Sequence, residues 1–325
     1  MAAIKLQPAI YPAHTSFAKE VPASSPLSFR KITIEDLPAI NEIVRTSGSF
    51  TCDYTIGGIF MWVDYFDYEF CIYEDTLFIS GKSENHLDRR AFSCPIGKLP
   101  LPKAIAVLQD YCTQNNIELN FSAIPADKMT CFTAFNPDCR VEELEDWGDY
   151  VYEAESFATL SGKKMAKKRN HVNRFKSDFP NYTVETITPS NADELKQSMI
   201  KWHTNNEYAS TTEDEELRQV CQILDHPESY PFTGIALRKE AGGEIVAFSL
   251  AEVINNTAFV HIEKMNHEIA GAGETVAHLL VNKLIEENPE IKYINREEDC
   301  GDPGLRRAKE SWQPAMILRK YNVSI

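Results

Sequence analysis

A short strand pattern followed by an amphipathic helix pattern occurs twice in this chain, about one domain length apart. Phe29 to Thr33 reads as a strand, and Glu35 to Val44 as a helix with Leu37, Ile40, Ile43 and Val44 on one side. Tyr182 to Ile187 and Asn191 to His203, with Leu195, Met199 and Trp202 at helical spacing, repeat the arrangement. Two halves that open alike restrict the chain to a duplicated unit, and 325 residues suffice for two domains of ordinary size. The expected divisions are a flexible leader over 1–28, a first unit over 29–155, a basic connecting helix over 156–181 and a second unit over 182–325.

The remaining periodicities fill in both units. In the first, Tyr68 to Tyr73 and Thr76 to Ser80 form a hairpin around Glu74 and Asp75, Lys103 to Gln114 is a helix started by Pro102, and Ile117 to Ser122 is a strand. In the second, Glu215 to Leu224 is a helix and Thr233 to Arg238 a strand. Glu244 to Val253 and Thr257 to Lys264 are long antiparallel strands joined by Asn255-Asn256. Glu274 to Glu286 is a helix, Ile291 to Ile294 a strand, Pro303 to Ser311 a short helix and Ala315 to Tyr321 a last strand. The order β-α-α-β-β-β-α-β-α-β implies a mixed α/β (α+β) sheet flanked by helices, with the first half a looser version of the same unit.

Composition bounds the function. No apolar run approaches the ~20 residues that span a bilayer, and Met1 to Ser28 carries Pro8, Pro12, Pro22 and Pro26 instead of a secretory signal. Eight cysteines, at 52, 71, 94, 112, 131, 139, 221 and 300, show neither a C-x-x-C pair nor a metal-like alternation with histidine. They fit reduced thiols in a cytoplasmic protein without a metal. A net charge of −15 argues against a protein that coats nucleic acid over a broad surface, though one local basic contact remains open.

Three segments carry the chemistry. Leu160 to Phe175, LSGKKMAKKRNHVNRF, lies in a stretch where Lys163 to Lys176 holds seven Lys/Arg and no acid. On a helix, Lys163, Lys164, Lys167, Lys168, His171 and Arg174 share one arc, with Met165 and Val172 beyond its edge. Such a stripe binds external phosphates or pairs with the seven acids of Val141 to Glu155. Phe259 to Asn266, FVHIEKMN, alternates so that His261, Glu263 and Met265 face one way. Its strand runs through a Gly271-Ala-Gly273 turn into a helix, a backbone arrangement that favours phosphate. Asn295 to Pro314, NREEDCGDPGLRRAKESWQP, puts nine charged residues behind a strand and then a capped helix, where α/β proteins place their chemistry.

Together the order and these motifs resemble the GNAT acyltransferase fold. From about Ser28 to Tyr321 the chain resembles the C-terminal aminoacyltransferase domain of phosphatidylglycerol lysyltransferases and their soluble bacterial relatives built as two tandem GNAT-like units. The resemblance implies transfer of an aminoacyl group from aminoacyl-tRNA to a lipid headgroup, peptide or small amine or hydroxyl acceptor, without a covalently bound cofactor. Glu263, Glu297 and Asp299 are then the catalytic candidates. Lys264, Asn266, Gly271 and Gly273 would line the donor channel, and Arg296, Arg306 and Lys309 would position substrate. Lys163, Lys164, Lys167, Lys168, Arg169 and Arg174 would hold tRNA.

Two departures from the family pattern matter. Glu268 stands where GNAT enzymes carry a glutamine or arginine near the coenzyme A pyrophosphate. Trp312 stands four residues after Ala308, where many relatives carry a tyrosine acid, with Ser311 beside it. An acyl-CoA-dependent N-acyltransferase, and a non-enzymatic anion- or metabolite-binding protein on the same scaffold, are the alternatives.

Overall fold

Left-handed turn residues set up the hairpins. Glu74 and Asp75, at φ 48° and 52°, join the strands Glu69–Tyr73 and Thr76–Ser83, and Asn255, at φ 55°, joins Ile245–Ile254 to Thr257–Met265. Both turns lie where the sequence places them. The computed structural model describes residues 25–204 and 211–325. Residues 1–24 of the expected leader lie outside the described residues, whereas Leu27 is buried in the core of the first unit.

The two units are two mixed sheets flanked by helices. Across the first sheet the order is Arg30–Lys31, Glu69–Tyr73, Thr76–Ser83, His86–Phe92, Asn120–Pro125, Lys320–Ser324 and Arg140–Glu143, with Ile96–Gly97 beside Thr76–Ser83. The second runs Met316–Leu318, Asp149–Glu153, Tyr293–Asn295, Thr257–Met265, Ile245–Ile254, Thr233–Arg238 and Thr183–Thr186. The central strands of each sheet are buried on both faces. In the second unit, Val276, Leu280 and Leu284 of the helix Ala272–Glu287 cover Ala247, Ala251 and Val260. Leu195, Met199, Val220 and Ile223 of the helices Ala192–Thr204 and Thr211–Asp225 cover Phe248, Leu250 and Ile262 opposite. The helix Leu101–Asn115, with Pro102 in its first turn, packs Ile105 and Leu108 on Phe92, Phe121 and Ile124 of the first sheet.

Sheet membership does not follow the expected division of the chain. Asp149–Glu153, from the first half, lies between Tyr293–Asn295 and Met316–Leu318 and is antiparallel to both. Lys320–Ser324, from the second half, lies between Asn120–Pro125 and Arg140–Glu143. The expected last strand, Ala315 to Tyr321, is therefore two strands that change sheets at Arg319. Alternation reveals an extended segment but not its partner, so this crossover was beyond the pattern.

Because Lys320–Ser324 is internal to its sheet, its removal leaves the facing edges of two strands without backbone partners. A chain ending at Arg319 is expected to lose cooperative thermal unfolding by circular dichroism. The milder Val323→Ala, at a side chain with 0% exposure, should retain the transition and lower stability by about 2 kcal/mol.

Candidate functional site

The exchanged strands bring four distant segments to one buried knot. Lys320, with 1% of its side chain exposed, places Nζ 2.7 Å from Asp149 Oδ1, 2.8 Å from Asp53 Oδ2 and 3.7 Å from Glu298 Oε2. Asp149 Oδ2 accepts from the Cys52 backbone N–H at 2.6 Å and from Asn295 Nδ2 at 2.7 Å. Burial would lower the lysine, but the surrounding carboxylates, Asp149 foremost, hold it well above its ordinary range. Burial also raises Asp53, to about 6, against the pull of Lys320, and raises Glu298. Cys52, Asp53 and Asp149 stand close enough to suit a metal ion. The Lys320 ammonium, however, already contacts both carboxylates and lies 3.5 Å from the Cys52 sulfur, so the cation of this pocket is the lysine.

The knot anchors one wall of a cleft. Thr257–Met265 and Tyr293–Asn295 run parallel and pair only from Thr257 to Phe259. Beyond Asn295 the second strand gives way to a loop while the first continues, and the strands part. In that loop Glu297 adopts φ 57°, an uncommon conformation for a non-glycine residue. It is held by its N–H donating to Asn295 Oδ1 at 2.7 Å. Lys309 Nζ, buried beneath, donates to the carbonyls of Arg296, at 2.5 Å, and Glu298.

A bulge divides the residues of the cleft. The pairing of Ile245–Ile254 with Thr257–Met265 slips between Leu250 and Ala251, leaving His261 as the extra residue. The expected common face for His261 and Glu263 is therefore absent. Glu263 Oε1 instead accepts from Arg296 Nη2 at 2.7 Å. That guanidinium lies 5.8 and 5.6 Å from the ring centres of Phe157 and Trp312, which stack 4.2 Å apart. Lys168 Nζ sits 4.6 Å over Trp312 and 3.4 Å from Glu274, and burial lowers its pKa. Trp312 is thus an aromatic wall for two cations. Arg296 Nη1 is buried and has no hydrogen-bond partner among the described residues.

His261 belongs to the opposite face. Its Nδ1 lies 2.7 Å from Glu297 Oε1 and its Nε2 3.4 Å from Glu252 Oε1, the latter too poorly aligned to leave either atom satisfied. Burial would lower the imidazole, yet the two carboxylates raise it to about 10. Gly57 of the short helix Ile56–Phe60 presses on the ring so closely that any side chain there would overlap it.

Other expected site residues are committed elsewhere. Asp299 Oδ2 accepts from the Tyr150 hydroxyl at 2.6 Å and Arg306 Nε at 2.8 Å, while Oδ1 accepts from Arg306 Nη2 at 2.7 Å and Gly301 N at 3.0 Å. Both oxygens hold the fold, which leaves none for substrate and corrects its reading as a catalyst. Arg306 also bonds Asp146 and, with Lys309, braces the loop instead of facing the cleft. Lys264 pairs with Glu216 at 2.6 Å, and Asn266 Oδ1 accepts from the Glu268 N–H at 3.0 Å. Ser311 Oγ donates to the Ala308 carbonyl at 2.6 Å.

The glycine turn and the basic helix prove to be one feature. Gly271, at φ 81°, lies against the His171 carbonyl of the helix Ala166–Asp178, where a Cβ would clash; Gly273 abuts Met265. Glu274, in the first turn of Ala272–Glu287, supplies the negative charge that this helix end favours, close to Lys168 and His171. Lys168 is therefore buried in the seam and Arg169 donates to the Leu160 carbonyl, while Lys163, Lys164, Lys167 and Arg174 remain exposed. Four of the seven acids upstream are engaged otherwise: Glu142 with His86, Glu143 with Arg319, Asp146 with Arg306 and Asp149 with Lys320.

The His261 geometry has a pH signature. A folded-state pKa near 10, above the ordinary 6.5, means stability fully present below pH 6.5 and lost as pH rises to 10. The wild-type melting temperature should fall across that window, and the His261→Gln variant should melt lower at pH 6.5 with a flatter profile.

Comparison with known proteins places this arrangement. A conserved protein of unknown function from Bacteroides thetaiotaomicron superposes with a TM-score of 0.84 at 29% identity, covering 92% of this chain and 99% of that one. L-PGS from Bacillus licheniformis shares the fold, with a TM-score of 0.63 at 19% identity, covering 89% of this chain and 91% of that one. An uncharacterised protein of Mycoplasmoides gallisepticum is 25% identical over 179 residues, 54% of this chain and 56% of that protein, so the match spans about half of the curated relative. The model of the family "phosphatidylglycerol lysyltransferase, C-terminal" matches residues 44–324, and the chain belongs to that family.

Proposed function

We propose that the chain transfers an aminoacyl group from aminoacyl-tRNA to an amine or hydroxyl acceptor, in the cytoplasm where charged tRNA is available. The observation that carries this reading is the Glu263–Arg296 pair between the parting strands, beside a basic segment that exposes Lys163 and Lys164 in the turn before the helix Ala166–Asp178, and Lys167 and Arg174 on it. Those four cations suit the phosphates of an acceptor arm. Family membership supports the aminoacyl donor. A lipid headgroup, a peptide and a small amine all remain acceptors that the chemistry admits. Among the described residues no helix is long and apolar enough to cross a membrane, so a lipid acceptor would be met from the aqueous side.

An aminoacyl ester is already activated, and alignment of donor and acceptor accounts for much of the rate. The acceptor N–H or O–H attacks the ester carbonyl, and Glu263 takes its proton as the new bond forms. The bond to the ribose oxygen breaks, and that oxygen takes the proton from Glu263, which returns to its carboxylate form. Arg296 fixes the Glu263 carboxylate and offers its unpartnered Nη1 to the charge growing on the carbonyl oxygen. Glu297, steadied by His261, holds the α-ammonium of the aminoacyl group. The acyl-CoA alternative is disfavoured by the turn itself, because the basic helix and Glu274 occupy the approach that a pyrophosphate would use.

Transfer of a radiolabelled amino acid from charged tRNA to candidate acceptors tests the proposal. Glu263→Gln should lower kcat by about 10² or more while leaving tRNA binding intact. Replacing Lys163, Lys164 and Lys167 by Gln should raise KM for tRNA with little change in kcat, and reduce the salt dependence of binding by about one unit of slope per lysine. Thermal stabilisation by coenzyme A, with none by charged tRNA, would overturn the reading.

A further inference from the structure

A broad hollow lies away from the cleft, on the first sheet. It encloses about 760 Å³ and adjoins a second hollow of about 380 Å³. Each falls in the size range of small-molecule sites. Arg89, Asn120, Arg140 and Ser324 line both hollows. The backbone explains why. Asn120 pairs with Ser324 and Ser324 with Arg140, so these three form a floor across adjacent strands. Arg89 stands on His86–Phe92, on the other side of Asn120–Pro125. At ~4.8 Å per strand, the two arginines are separated by about three strand spacings and can close on one ligand from opposite sides.

His86 and Glu142 of the smaller hollow pair with each other, but four other charges on the walls are unspent. Arg90, next to Arg89 in the chain, bonds Asp67 and Glu69, and Arg319 bonds Glu143. Arg89 and Arg140 form no ion pair among the described residues, although both border a cavity. Two carboxylates line the larger hollow with them. Glu118 accepts only a long 3.5 Å bond from Asn120, and the Asp138 carboxylate pairs with no cation among the described residues. Had the groove carried arginines alone, a simple anion would suit it. With unpaired charges of both signs on one concave surface, each end of a zwitterion meets its complement.

We infer that this groove is a second ligand site, taking a small zwitterion whose carboxylate or phosphate lies on Arg89 and Arg140 and whose ammonium lies on Glu118 or Asp138. It is separate from the cleft and does not depend on the transfer reaction. Amino acids, short peptides and phosphorylated amines all share this chemistry.

Isothermal titration of the full chain with glycylglycine and with O-phosphoethanolamine distinguishes the two sources. Acetate, inorganic phosphate and ethanolamine serve as half-ligands. At least one zwitterion should bind about tenfold tighter than either of its halves, and Arg140→Gln and Asp138→Asn should each weaken it about fivefold. Glu263→Gln should leave it unchanged, which separates failure here from failure of the cleft chemistry. Both groove positions are exposed, and unchanged melting temperatures would establish that the variants fold. Equal affinity for inorganic phosphate or acetate, no saturable binding of either zwitterion, or indifference to Arg140→Gln would overturn the inference.

Discussion

The architecture rests on a single ammonium. Lys320 lies where no water can solvate it, among Asp149, Asp53 and Glu298. Removing such charges from water costs several kcal/mol each, and mutual attraction repays it only with short contacts and satisfied remaining valences. Both conditions are met on Asp149, whose oxygens take the ammonium, the Cys52 N–H and the Asn295 amide. What the knot supplies above all is register. Its members come from the segment before the short helix Ile56–Phe60, from each exchanged strand and from the strand end and loop at Asn295. A slip of one residue in either strand would bury an unpaired charge. The loop that carries Arg296 and Glu297 is thereby fixed from below.

The cleft depends on a second constraint, the bulge at His261. In a regular strand His261 and Glu263 would crowd one side of the sheet. With one extra residue, Glu263 meets Arg296 on the face of the basic helix, and His261 backs Glu297 on the face pressed by Gly57. One strand therefore serves two chemically different walls. The basic helix contributes twice as well: its inner side closes the glycine turn through His171 and Lys168, and its outer side carries the exposed cations.

Much of this was legible in the sequence. The duplicated strand–helix opening, the long hairpin around Asn255 and the charged loop behind Asn295 all follow from periodicity and turn chemistry, and the structure contains them. Glu263, Arg296 and Glu297 were candidates, and they line the parting strands. Asp299 looked the same as its neighbours, because a sequence shows a carboxylate but not how many donors surround it. Lys320, Asp149 and Asp53 gave no signal. Their meaning arises from contacts across more than a hundred residues, and a lysine in a strand ordinarily faces water. The glycine turn misled in a more instructive way. Its residues matched a phosphate cradle, yet Gly271 is required because another backbone passes against it.

The exchange of strands also shapes how the protein comes into being. The strand that fills the gap between Asn120–Pro125 and Arg140–Glu143 is synthesised after almost all of the second unit. On the ribosome the first unit must wait, its sheet missing the strand beside Asn120–Pro125, while more than a hundred further residues emerge. Contacts so distant in sequence slow folding and prolong the exposure of strand edges to other chains. The two halves thus cannot mature one after the other as ordinary neighbouring domains do, and a chaperone holding the nascent chain would protect the unit that was made first.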